Sequence, residues 1–103
     1  MPSRYLFILL CFLAAHAFAS DDPLGNLKKG QPKDVRELID RLAGCTHWNG
    51  EEPYDAERKR EISLAMKDLR CNRLEKDEAA ARKRYAKQPS TIKVLQRAKE
   101  LSY

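Results

Sequence analysis

Pro32-Lys33-Asp34-Val35-Arg36-Glu37-Leu38-Ile39-Asp40-Arg41-Leu42-Ala43-Gly44-Cys45 is the stretch from which the fold can be read. Val35, Leu38, Ile39 and Leu42 recur at i, i+3, i+4 and i+7, which puts them on one stripe of an α-helix. Pro32 brings the fixed φ of a first helical position and lacks an amide proton that would be orphaned there. Asp34 and Glu37 set negative charge beside the positive end of the helix dipole. Gly44 is the expected C-terminal stop. Cys45 follows directly, so a disulfide from it would anchor the end of this first helix.

Working outward, Thr46 to Tyr54 reads as a loop, and Asp55 suits the N-cap of a second helix with Glu57 in its first turn. Ile62, Ala65, Met66 and Leu69 form an apolar stripe, while Leu64, Cys71, Leu74, Ala81 and Tyr85 form another on the opposite side. Either one long helix is packed on both sides, or the helix breaks near Asn72. Asn72 followed by Glu75 is a capping-box pattern, with Asp77 and Glu78 in the next turn and Arg82, Lys83, Arg84 and Lys87 at the end. The break is therefore preferred, with Cys71 at the joint. Gln88-Pro89 stops that helix and Ser90 is expected to cap the last one, which buries Ile92, Leu95, Ala98 and Leu101 with Val94 beside them. No run alternates as a strand does. The expected fold is all-α: a small bundle of three or four antiparallel helices with one disulfide, Cys45–Cys71.

The N-terminus reads as a secretory leader. Arg4 supplies a short charged region, Tyr5 to Ala15 is unbroken and apolar, and Ala17-Phe18-Ala19 offers small residues for cleavage before Ser20, with a cut after Ala17 as the alternative. Eleven apolar residues would span roughly 16 Å as a helix, against about 30 Å of hydrocarbon, so a membrane anchor fits poorly. The expected organisation is a signal peptide over 1–19, a flexible leader over 20–31 and a helical domain over 32–103. Cleavage removes all three Phe and leaves two cysteines, with 19 cations against 15 anions. So few residues bury a modest core, and a staple between Cys45 and Cys71 adds about 3–4 kcal/mol in the chain-entropy account. Export also favours the oxidised pair over free thiols.

The mild positive charge could favour anionic envelope surfaces and makes nucleic acid an unexpected partner after export. Arg58-Lys59-Arg60 and Arg82-Lys83-Arg84 are flanked by acids at helical spacing and read first as solvated helix faces.

Candidate function concentrates between Cys45 and Asp55, which holds the lone Trp48, His47 and the run Glu51-Glu52-Pro53-Tyr54. Trp48 and Tyr54 are residue types that anchor interfaces, although a small core without Phe could equally draw both rings inward. The expected partner contacts are His47, Trp48, Glu51, Glu52 and Tyr54. His47, Glu51, Glu52 and Asp55 could offer a metal an oxygen-rich set with one imidazole, but the spacing matches no zinc or calcium template. Ser63, Ser90 and Ser102 lie in no nucleophile motif, paired cysteines offer no thiolate, and Cys-x-x-Cys-His is absent. The expectation is a protein without catalytic activity or cofactor.

The run Cys45-Thr46-His47-Trp48-Asn49-Gly50-Glu51-Glu52-Pro53-Tyr54-Asp55 resembles a group of small exported bacterial proteins without assigned function. That group shares Cys-x-His-aromatic-x-Gly-Glu-Glu-x-Tyr-Asp, then a second Cys and a charged helix like Asp77 to Tyr85. The resemblance implies a bacterial, periplasmic setting and no activity. A looser likeness, of architecture alone, is to helical exported lysozyme-inhibitor-like proteins. The expected function is a periplasmic or secreted interaction module whose partner is another envelope protein. The alternatives are a small ligand- or metal-binding protein and a cationic envelope-surface binder.

Overall fold

A computed structural model describes residues 22–102 of the chain. The expected signal peptide and its cleavage site lie outside the described residues. Five α-helices follow one another: α1 Pro23–Lys28, α2 Lys33–Asn49, α3 Ala56–Asp68, α4 Leu74–Arg84 and α5 Pro89–Ser102, with a 3-10 turn at Cys71–Arg73 before α4. The described residues include no strand. The fold is all-α with one disulfide.

α2 is the hub. Val35, Leu38, Ile39 and Leu42 are buried along it and meet Ala81 of α4 and Leu95 and Ala98 of α5. Leu24, Leu27, Leu74, Tyr85 and Val94 close the margins of this core. Contacts run in opposite directions on paired helices. Asp34 meets Arg84 and Tyr85, Arg41 meets Asp77, and Cys45 meets Cys71, so α2 and α4 are antiparallel. Glu78 meets Lys99 and Arg82 meets Gln96, which makes α4 and α5 antiparallel too.

Several expectations need correction, beginning with the number of helices, which is five among the described residues rather than three or four. The stretch 20–31 is not simply a leader, because Pro23–Lys28 is helical and Leu24 and Leu27 pack on the core. Two leucines in six residues carry too little periodicity to show this; packing against α5 and α2 supplies the stability instead. Gly44 is not a stop. α2 continues to Asn49, and a Cβ on Gly44 would lie 2.8 Å from Leu69 Cδ1, so glycine here permits close approach of the chain leaving α3. Ser90 does not cap α5, because Pro89 is already its first residue, and Leu101, expected on its buried face, is 39% exposed. The break near Asn72 is present, but the capping box is not: Arg73 is the N-cap of α4 and makes no side-chain cap bond.

The joint between α3 and α4 is built around Arg41, which is only 9% exposed. Its Nε donates to O of Leu69, the C-cap of α3, at 2.8 Å, and its Nη2 donates at 3.0 Å to Arg70 O, which also accepts from the Arg73 amide. Its Nη1 pairs with Asp77 at 2.8 Å. Arg70 itself is left-handed, with φ 52°, a conformation costing a non-glycine residue on the order of 1 kcal/mol. The Arg41 hydrogen bonds hold it there. One residue beyond, the Cys45–Cys71 disulfide spans 5.7 Å between Cα atoms.

Arg41→Ala removes the side-chain donor to Leu69 O, one of the two donors to Arg70 O and the partner of Asp77, so urea unfolding should show a loss of about 2–3 kcal/mol; a loss below about 1 kcal/mol would mean solvent serves these groups equally well. A second expectation concerns acid. The Tyr85 hydroxyl, which donates to Asp34 Oδ1 at 2.7 Å, is the main cause holding Asp34 below its ordinary 3.8, with Arg84 adding to it. Asp77 is lowered chiefly by Arg41. Both groups bind a proton more readily unfolded, so their stabilisation is complete above the ordinary carboxylate value and disappears as pH falls through the lowered one. Unfolding midpoints should therefore drop between about pH 5 and pH 3, and Asp34→Asn should flatten that slope.

Candidate functional site

The stretch expected as one loop divides into two parts. Thr46 to Asn49 are the last residues of α2, and only 50–55 form the turn to α3. The Gly50 amide donates to the carbonyls of Thr46 and His47, and that of Glu51 to Trp48 O. Asp55 is the N-cap of α3 as expected: its Oδ1 accepts from the Arg58 amide at 2.7 Å. The turn is fixed at both ends.

Arg58 organises the side chains between those ends. Its guanidinium lies 5.3 Å from the centroid of the Trp48 ring, a cation–π arrangement. Nη2 bonds Glu51 Oε2 at 3.1 Å and Nη1 bonds Glu61 Oε2 at 2.8 Å. These carboxylates, Glu61 first and then Glu51, hold Arg58 above its ordinary pKa. The other oxygen of Glu51 is 3.4 Å from His47 Nε2. His47 in turn meets Trp48 edge-on, with ring centroids 5.2 Å apart.

Of the five expected contact residues, the structure brings His47, Trp48 and Glu51 together around Arg58. Trp48 is half-buried there, and Glu51 is engaged on both oxygens. Glu52 and Tyr54 stand apart and face solvent, and Tyr54 is 78% exposed, the most exposed large apolar residue described. The expectation of a basic triplet on a solvated face missed the role of Arg58. The available signal was the antiparallel return of α3 along α2, which carries position 58 back to position 48.

The metal set does not assemble. Among the described residues no three His, Cys, Asp or Glu side chains are placed to hold an ion. Glu51 is committed to Arg58, and Asp55 to the helix end. A cleft of about 280 Å³ beside the disulfide is lined by Cys45, Thr46, Asn49, Met66, Cys71 and Leu74. That is slightly below the usual range of about 300–1,000 Å³ for ligand pockets. No described helix is long and apolar enough to cross a membrane. No family model, no curated protein and no solved structure matches the chain.

Arg58→Met keeps the aliphatic stem but removes the cation. Trp48 fluorescence should shift to the red and stability should fall by about 1 kcal/mol; an unchanged spectrum would show that the guanidinium does not cover the ring.

Proposed function

We propose that the chain is an exported, non-catalytic interaction module of the bacterial envelope that engages a protein partner through the 50–55 turn. The observation that carries this reading is the placement of Tyr54: a large, stiff ring, 78% exposed, on a turn fixed at one end by α2 and at the other by the Asp55 cap. A fixed turn spares the backbone ordering cost on binding and leaves only the two side-chain torsions of the ring to be immobilised. Glu52 lies beside it in sequence, also exposed and without an ion pair among the described residues. Export is supported by the apolar N-terminal run with its small-residue cleavage pattern and by the disulfide.

Tyr54 would be the contact, with Glu52 beside it. Trp48, Glu51 and His47 would act behind it by holding the turn in shape. The two groups separate under mutation. Tyr54→Ala should leave stability within about 0.5 kcal/mol, because an exposed ring contributes little to packing. The same change used as bait in capture from periplasmic extract should lose a partner that the wild-type bait retains. Trp48→Ala should lose that partner and also unfold at lower denaturant. Identical partner lists for wild type and Tyr54→Ala would end this reading.

A further inference from the structure

The net charge is not spread over the molecule. From Asp22 to Leu69 the chain has nine cations and ten anions, while from Arg70 to Ser102 it has ten cations and four anions. The excess therefore lies in the 3-10 turn, α4, α5 and the connection between them. The Arg58-Lys59-Arg60 triplet adds nothing to it, since α3 and its cap are balanced.

Within that half, α4 sorts its residues by face. Leu74, Glu78, Ala81 and Tyr85 turn inward; Glu78 is 7% exposed and is held by Arg82 at 3.1 Å and Lys99 at 3.7 Å. Lys76, Ala79, Ala80 and Lys83 recur at i, i+3, i+4 and i+7 on the opposite side, and all four are exposed. Arg73 in the 3-10 turn before the helix and Lys87 in the turn after it are also exposed and add charge at the two ends of the row. Of the three carboxylates of α4, Asp77 pairs with Arg41 and Glu78 with Arg82 and Lys99. Glu75 is exposed beside Lys76 and forms no ion pair among the described residues, so it offsets one charge at the start of the row. Among the described residues, Lys76, Lys83 and Lys87 have no carboxylate within ion-pair distance.

From this arrangement we infer that the outer face of α4 is a docking surface for an anionic phospholipid bilayer, separate from the Tyr54 turn. The cleft that borders the row at Ala80 is lined by the carboxylates of Asp34, Glu37 and Asp77 as well as by arginines, and neither Lys76 nor Lys83 lines it, so it offers no site in which the row's lysines would grip a single phosphate. It has no aromatic ring on which a nucleic-acid base could stack. Its interior cations are lysines, point charges that respond to a smooth potential, rather than arginine forks that select a shaped oxyanion. Lys76 and Lys83 lie about 10 Å apart along the axis, and the alanines between them let the helix lie close to a plane. The apolar side of α4 stays in the core, so association is electrostatic and does not require insertion.

The oxidised chain beginning at Ser20 is sedimented with vesicles of phosphatidylcholine containing phosphatidylglycerol, and with vesicles of phosphatidylcholine alone. Binding to the anionic vesicles alone, weakening as salt rises, is the expected result. Lys76→Gln/Lys83→Gln/Lys87→Gln should lower that affinity on the order of a hundredfold, about fivefold per lysine. Lys59→Gln/Arg60→Gln/Lys67→Gln removes the same charge from α3 and should leave affinity close to wild type. Lys76→Arg/Lys83→Arg/Lys87→Arg keeps the charge and should bind as wild type does; its failure to bind would show that charge on this face is not the cause. Equal losses in the two glutamine triples would reduce the effect to net charge and overturn the inference, as would equal binding to both vesicles or to neither. Tight binding to soluble polyphosphate with none to vesicles would assign the face to a linear polyanion instead.

Discussion

Arg41 sits in the middle of the helix that every other helix touches, and its guanidinium reaches three groups from the far side of the α3–α4 joint. Two are carbonyls that end α3, and the third is the carboxylate in the first turn of α4. A cation is well matched to the negative end of a helix, and a fork of N–H donors can serve adjacent carbonyls together. The left-handed residue at Arg70, the short 3-10 turn and the approach of Cys71 to Cys45 all depend on that anchoring. The disulfide then ties down covalently a joint whose geometry the guanidinium already favours. Glycine at position 44 belongs to the same arrangement, because Leu69 occupies the space that a larger residue would need.

A second arginine performs a comparable task at the other end of α3. Arg58 collects Trp48, Glu51 and Glu61 and so shapes the turn without being its exposed feature. Two arginines thus secure α3 at its ends, while the helix contributes no fully buried side chain of its own. Ile62, Ala65, Met66 and Leu69 are largely but not fully covered, and Leu64 is 51% exposed. The main core runs instead through α2, α4 and α5, and α1 closes one margin of it.

What the sequence disclosed follows from the range of each signal. The stripe Val35–Leu42, the Asp55 cap, the break beside Cys71 and the cysteine pairing are local patterns or, once Cys11 is set aside with the expected leader, a choice of one. Each is present in the fold. Gly44 misled because a glycine near a helix end looks the same whether it serves a left-handed cap or a close contact 25 residues away. Arg41 was silent for a similar reason. A charged residue within an apolar stripe reads as solvated until its partners, 28 to 36 positions later, are brought to it. In the candidate site, residue types identified the right segment but could not sort its members. Which ring points out and which is covered was decided by Arg58, ten positions beyond Trp48.

The uneven covering of α3 has a consequence for how the molecule fluctuates. Local opening free energies track buried apolar contact, so the amides of α3 should exchange with solvent far sooner than those of α2, whose residues form the middle of the core. Such an excursion leaves α3 moored on both sides: α2 continues into it through the 50–55 turn, and the sulfur bridge holds the chain just past its far end. The helix can therefore melt and re-form as a closed loop, without its ends drifting from the places to which they must return. When α3 opens in this way, the lattice of buried side chains around α2 stays intact.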